Sequence, residues 1–206
     1  MDFPDRDIIL ELPDSELIRQ LKDALLHWWD LTEAKQYLGA YSSDNNDIVN
    51  KALVQSAIVS YYKCFGNSKF RHYPLMRDKV LAGYPPEAKG VFDYYHTLRN
   101  KFIVHDESRN AQVITAAILD PEQEFPLVET LATVVNTEYS RGSNLDGLNS
   151  LLHLVLVTIE WVEKKIDTLC DAIKEEHKNM KMQDYQGFKP PVLTIPTNDN
   201  MFEKRY

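Results

Sequence analysis

Residues 91–107, VFDYYHTLRNKFIVHDE, decide how this chain is read. At about 100° per residue, Val91, Tyr94, Tyr95, Leu98 and Phe102 fall on one apolar stripe, with Phe92 and Ile103 flanking it. Pro85 and Pro86 stand ahead of the segment and Glu87 falls in its first turn, the arrangement that opens a helix. The pattern predicts a helix to about residue 104. Arg99 falls inside the edge of the stripe, between Tyr95 and Ile103. If the helix continues, His105 falls on the opposite edge, and Asn100 turns toward the polar side. An isolated buried charge is costly, so an arginine on a packing face must be paired or must line a polar cleft. Both solutions are open at this point. A carboxylate from another helix pairs with Arg99 and His105 merely ends the helix, or Arg99 and His105 face a cleft that receives an anion.

Outward from this segment the periodicity is mostly helical. Leu17, Leu21, Ala24, Leu25, Trp28 and Leu31 recur at helical spacing after Pro13, Asp14 and Ser15, which read as a helix start, and the run ends near Gly39. A polar loop over 42–47 precedes a second helix from about 48 to 65, with Ala52, Leu53, Ala57 and Tyr61 on one face and Gly66 as its stop. Residues 67–84 read as irregular, with a short helix over 75–81. A long helix beginning near 146 carries Leu148, Leu151, Leu152, Val155, Ile159, Val162, Ile166, Leu169 and Ile173 to about 177. Between the third helix and this one, two β-branched-rich runs are separated by DPEQEFP. They predict a hairpin over about 111–135, although the second run also suits a helix. The expected fold is mainly α, a four- to five-helix bundle with an inserted β-hairpin. The helical domain spans 1–182. Residues 183–206, with Pro190, Pro191 and Pro196, form an extended tail, either disordered or clasping a neighbour.

Composition narrows the function classes. With 206 residues, 44% hydrophobic and 26% charged, the chain can bury a sizeable core, and only 7 glycines argue against a loop-rich all-β design. The formal charge of −8 disfavours generic binding to nucleic acid and leaves room for a local basic pocket or a basic partner. The acidic, proline-broken N-terminus is no signal peptide, and the most apolar stretch, 151–162, falls well short of a membrane span. Cys64 and Cys170 lie in apolar contexts without metal-ligand spacing and read as reduced, free thiols. A cytoplasmic protein with no metal, no cofactor and no membrane contact is expected.

The run Leu98-Arg99-Asn100-Lys101-Phe102-Ile103-Val104-His105-Asp106 resembles the signature of the HEPN superfamily: an arginine, a polar residue directly after it, and a histidine after a gap of four to six residues. Members are small helical bundles found in toxin–antitoxin, abortive-infection and other bacterial defence systems. The resemblance implies a metal-independent endoribonuclease with Arg99, Asn100 and His105 as catalytic residues, working as a homodimer that packs its motif helices together. It also implies a toxin or phage-defence role, an RNA substrate, and an antitoxin protein as partner. The residue types suit such chemistry, since an imidazole moves protons near neutral pH and a guanidinium grips a phosphate. The alternative is a non-catalytic interaction or nucleotide-binding module of the same fold. Glu107 stands where one branch of the superfamily has a tyrosine, so that branch's tyrosine-based regulation is not expected here. Asp106 and Glu107 add negative charge beside His105, which favours its protonated form and works against RNA.

Further substrate-binding candidates are Tyr95, one turn before Arg99, His96, Lys101, and Arg71 within the basic-aromatic run Lys69, Phe70, Arg71, His72. The bland alternatives are core packing for Tyr95 and His96 and a solvated loop for the basic run. Trp28 and Trp29, being adjacent, cannot both face the core, so one is free to mark an interface. His27, His153 and His177 default to structural or surface roles.

Overall fold

Ser15 starts the first helix because it offers the chain a side-chain acceptor: it is extended (φ −139°, ψ 169°), and its hydroxyl oxygen accepts the Ile18 N–H at 3.2 Å. In the computed structural model, which describes residues 9–67, 71–104, 111–119, 127–136 and 145–192, this helix is α1 (Glu16–Gly39). Asn46 caps α2 (Asp47–Lys63) in the same way, accepting the Val49 N–H at 2.9 Å. A single turn, α3 (Arg77–Val80), leads to Gly83, whose φ of +84° is open to glycine at little cost. Pro86 then occupies the first turn of α4 (Pro86–Leu98). The long α5 (Leu145–His177) is followed by a 3-10 turn (Met182–Tyr185). The chain is thus mainly helical.

Between α4 and α5, strands β1 (Ala111–Leu119) and β2 (Leu127–Asn136) pair antiparallel, Ala111 opposite Asn136, with an irregularity in register between Ile118 and Leu119. The turn that would join them as a hairpin lies in 120–126, outside the described residues.

The core forms where α1 packs against α2 and α5. Helix α2 buries a broad face: Val54, Ala57, Ile58, Ser60, Tyr61 and Tyr62 are buried and cover a little over half of its circumference, while Ala52 and Lys63 on the other side are exposed. Leu31, Ala34, Leu151 and Val155 complete the centre without measurable exposure. Trp28 is half-buried and donates its indole N–H to Glu163 at 3.0 Å, while Trp29 points outward at 60% exposure. Cys64 is buried, Cys170 is half-buried, and both are free thiols.

Tyr61 ties α2 to α5 through a hydrogen bond whose direction can be deduced. The Thr158 hydroxyl donates its only proton to the Leu154 carbonyl at 2.7 Å, so the Tyr61 hydroxyl, 3.1 Å away, must donate to Thr158 Oγ1. Burial strongly disfavours the Tyr61 phenolate. We expect Tyr61→Phe to cost about 0.5–1.5 kcal/mol in urea unfolding, the net worth of one buried neutral hydrogen bond, with its aromatic neighbours Tyr62 and Phe65 still packed.

After α5 the chain turns back on the bundle. Tyr185 stacks on His177 with ring centroids 5.9 Å apart, and the Lys189 carbonyl accepts the Glu11 N–H at 2.8 Å. The first part of the expected tail is therefore engaged with its own chain; residues 193–206 lie outside the described residues. No helix among the described residues is long and apolar enough to cross a membrane.

Candidate functional site

Helix α4 does not run on as an α-helix to residue 104. It passes at Arg99 into a π-helical segment, Arg99–Val104. The wider winding changes the angle per residue, so the 100° wheel misplaces everything from Arg99 onward. Within α4 itself, the apolar stripe read from the sequence is off-centre. Phe92 (5% exposed) and Tyr95 (2%) are innermost, whereas Tyr94 is 47% exposed. Tyr95 is therefore a core residue and cannot serve as a surface contact for substrate, a correction to its candidacy; desolvation raises its phenol to about 12.

Arg99 and Asn100 open the π segment and are bonded to each other. Arg99 Nη1 donates to Asn100 Oδ1 at 2.7 Å, and Asn100 Nδ2 lies 3.1 Å from His96 Nε2, one turn back. The His96 ring is stacked on Phe92 (6.1 Å between centroids, 19° between planes) and tilted against Tyr62 of α2 at 5.3 Å. Tyr62 is itself fixed by donating its hydroxyl to the Phe92 carbonyl at 2.6 Å. Arg99 is half-buried, and its Nε is buried without a hydrogen-bond partner. Among the described residues no carboxylate pairs with it. Lys101 is exposed on the same segment. His105 lies outside the described residues, as do Lys69 and Phe70.

Arg71 belongs elsewhere. The solvated-loop alternative does not hold for Arg71, and its side chain is not presented to a substrate: it turns inward, 11% exposed, and Nη2 meets Asp30 Oδ2 at 2.5 Å. Asp30 also takes Lys63 at 3.2 Å. Arg71 Nη1 lies 3.4 Å from His27 Nδ1, while His27 Nε2 lies 3.1 Å from the Tyr73 carbonyl. A carbonyl only accepts and a guanidinium only donates, so His27 is neutral with its proton on Nε2. Its ionisation is pushed below the usual histidine range, first by desolvation and further by Arg71. Asp23, fully buried, accepts the backbone N–H groups of His72 and Tyr73 at 2.7 and 3.0 Å. The sequence contains a signal for this knot: Asp23, His27 and Asp30 share one helical face at i, i+4 and i+7. The apolar pattern points instead to the face of Leu25 and Trp28, and Leu25 is in fact 47% exposed.

The loop so anchored contributes His72 and Tyr73 to a cleft of about 390 Å³, lined also by Asp14 and Arg19. Arg19 donates to Asp14 at 2.7 Å, so its charge is already matched. His153 is exposed, its ring 6.5 Å from that of Tyr84. No group of histidine, cysteine and carboxylate side chains among the described residues is arranged to hold a metal ion.

The site thus defined is a cation, an amide and an imidazole in series where the last turn of α4 passes into the π-helical segment. Comparison with known proteins gives no match to the chain, whether with protein-family models, curated proteins or solved structures.

Proposed function

We propose that this chain is an endoribonuclease of the HEPN kind, acting as a toxin or phage-defence effector in a homodimer whose motif helices pack together. The observation that carries the reading is the state of Arg99. Its guanidinium is half-buried, no acid among the described residues neutralises it, and its buried Nε has no partner. A cation left in that condition favours an anion, and a phosphodiester presents charged acceptors that match a guanidinium fork. The π segment supports the reading too, since such segments recur at functional sites, where they redirect side chains at some cost to regular helix bonding.

In the proposed reaction, His105 accepts the proton of a ribose 2′-hydroxyl as the 2′-oxygen attacks phosphorus. The bond from phosphorus to the 5′-oxygen breaks, leaving a 2′,3′-cyclic phosphate. The leaving oxygen takes a proton from a second imidazole, which the other subunit's copy of the motif would supply. Arg99 stabilises the charge growing on the non-bridging oxygens. Lys101, exposed beside it, adds long-range attraction for the backbone in an otherwise acidic molecule.

Purified protein incubated with cellular RNA is expected to yield fragments ending in 2′,3′-cyclic phosphate. A Lys101→Cys variant prepared in the same way is expected to cross-link to its mate through a short bismaleimide, because motif helices packed at a dyad bring like residues within about 10 Å. Intact RNA with efficient cross-linking would leave a binding module that uses the same face; intact RNA from a monomer would remove the reading altogether.

A further inference from the structure

The Arg99–Asn100–His96 series selects which ring nitrogen of its last member accepts a hydrogen bond. Arginine has only donors, so Asn100 must turn its oxygen toward Arg99, as the 2.7 Å contact from Nη1 to Oδ1 requires. The amide nitrogen is then the atom 3.1 Å from His96 Nε2. Reversing the amide would set two donors against each other at Arg99. Because Nδ2 only donates, Nε2 must accept, and the single ring proton of His96 must sit on Nδ1. Although His96 is exposed, its ring is supported on two sides: Phe92 stacks on it, and Tyr62, held by the Phe92 carbonyl, leans on it from α2.

We propose that His96 is a positioning residue for Arg99. The unprotonated Nε2 holds the Asn100 amide and the amide oxygen holds Nη1, so that the half-buried guanidinium is held in one orientation before a ligand arrives. The proposal rests on the reading of Arg99 as the group that receives a phosphodiester, and it gives Asn100 a definite role, that of coupling an imidazole to a guanidinium. It requires the Nδ1–H tautomer, opposite to the form that dominates free neutral histidine. Unsupported, an arginine side chain would sample many rotamers, and ordering it is part of the cost of binding.

The test uses the full chain labelled with ¹⁵N at neutral pH. Two-bond ¹H–¹⁵N correlations of the imidazoles, with His96 assigned by its disappearance in His96→Gln, report the tautomer directly. His96 is expected to show the Nδ1–H pattern and to revert to Nε2–H in Asn100→Leu. The Arg99 Nε–H resonance is expected to move in His96→Leu and to return in His96→Gln, whose amide oxygen can accept from Asn100 as Nε2 does. An Nε2–H pattern in the unaltered protein, or one indifferent to the loss of Asn100, overturns the proposal. Cleavage assays run alongside are expected to lose about two- to tenfold in His96→Leu, the worth of one neutral hydrogen bond, with recovery in His96→Gln. Should the unaltered chain leave RNA intact, the nuclease reading fails while the tautomer still decides the role of His96.

Discussion

Arg99→Ala is expected to lower RNA cleavage by about 10²–10³-fold, the loss typical when one preorganised donor to a developing oxyanion is removed. Stability should move the other way or not at all. The arginine holds a buried Nε without a partner, and deleting an unsatisfied buried donor removes a desolvation penalty of about 1–3 kcal/mol, offset in part by lost packing of its stem. The neighbouring Asn100 keeps His96 as a partner. The two outcomes together distinguish the proposal from a structural role, since an arginine locked into an internal ion pair would show destabilisation on truncation. Steady-state cleavage of a defined oligoribonucleotide, with urea unfolding of the same preparation, measures both. Unchanged cleavage in the variant would show that Arg99 does not contact the reacting phosphate.

Arg71→Ala is expected to destabilise the fold by about 3 kcal/mol in urea at pH 7.5, the lower end of the range for breaking a buried ion pair. Asp30, 5% exposed at its side chain, loses its closest cation but keeps Lys63, which is why the loss is not larger. The same knot sets a pH dependence. Because folding pushes His27 below its usual value of 6.5, the unfolded chain binds a proton at a higher pH than the folded one. The stability arising from neutral His27 is therefore complete above about pH 6.5 and is lost as the pH falls from there toward the depressed folded value. Arg71 is one cause of the depression, so Arg71→Ala should flatten this acid slope while lowering stability at every pH. Unfolding curves across pH 5–8 check both, and an acid slope indifferent to His27→Gln would show that another group titrates.

Much of the helical framework is legible in the sequence because its signals are local. Ser15 and Asn46 cap the helices they precede, Pro86 starts α4, and the repeat from Leu151 to Ile173 marks α5. The candidate site is legible as composition but not as geometry. Arg99 and Asn100 can be singled out by their neighbours, yet the change from α to π winding at Arg99 leaves no residue signature, and it alters where each later side chain points. The fate of Arg71 is equally hidden. Nothing nearby in sequence indicates that its partners lie 41 and 44 residues away on α1, because buried charges are matched by tertiary contact rather than by local rule. The pairing of His96 with Asn100 sits between these cases: its spacing of four is the helical contact distance, but the direction of the bond follows only once Arg99 is seen to take the amide oxygen.

The bond from the Glu11 amide to the Lys189 carbonyl closes the polypeptide between them into a ring, with one hydrogen bond standing in for a covalent link. Such a clasp makes the molecule its own gauge. Paired labels beside these two positions would read a separation of a few ångström while the bundle is intact and tens of ångström once it opens. Force applied through the two ends would meet this clasp before it reached α1 or α5, so the helices would be shielded until the clasp gave way.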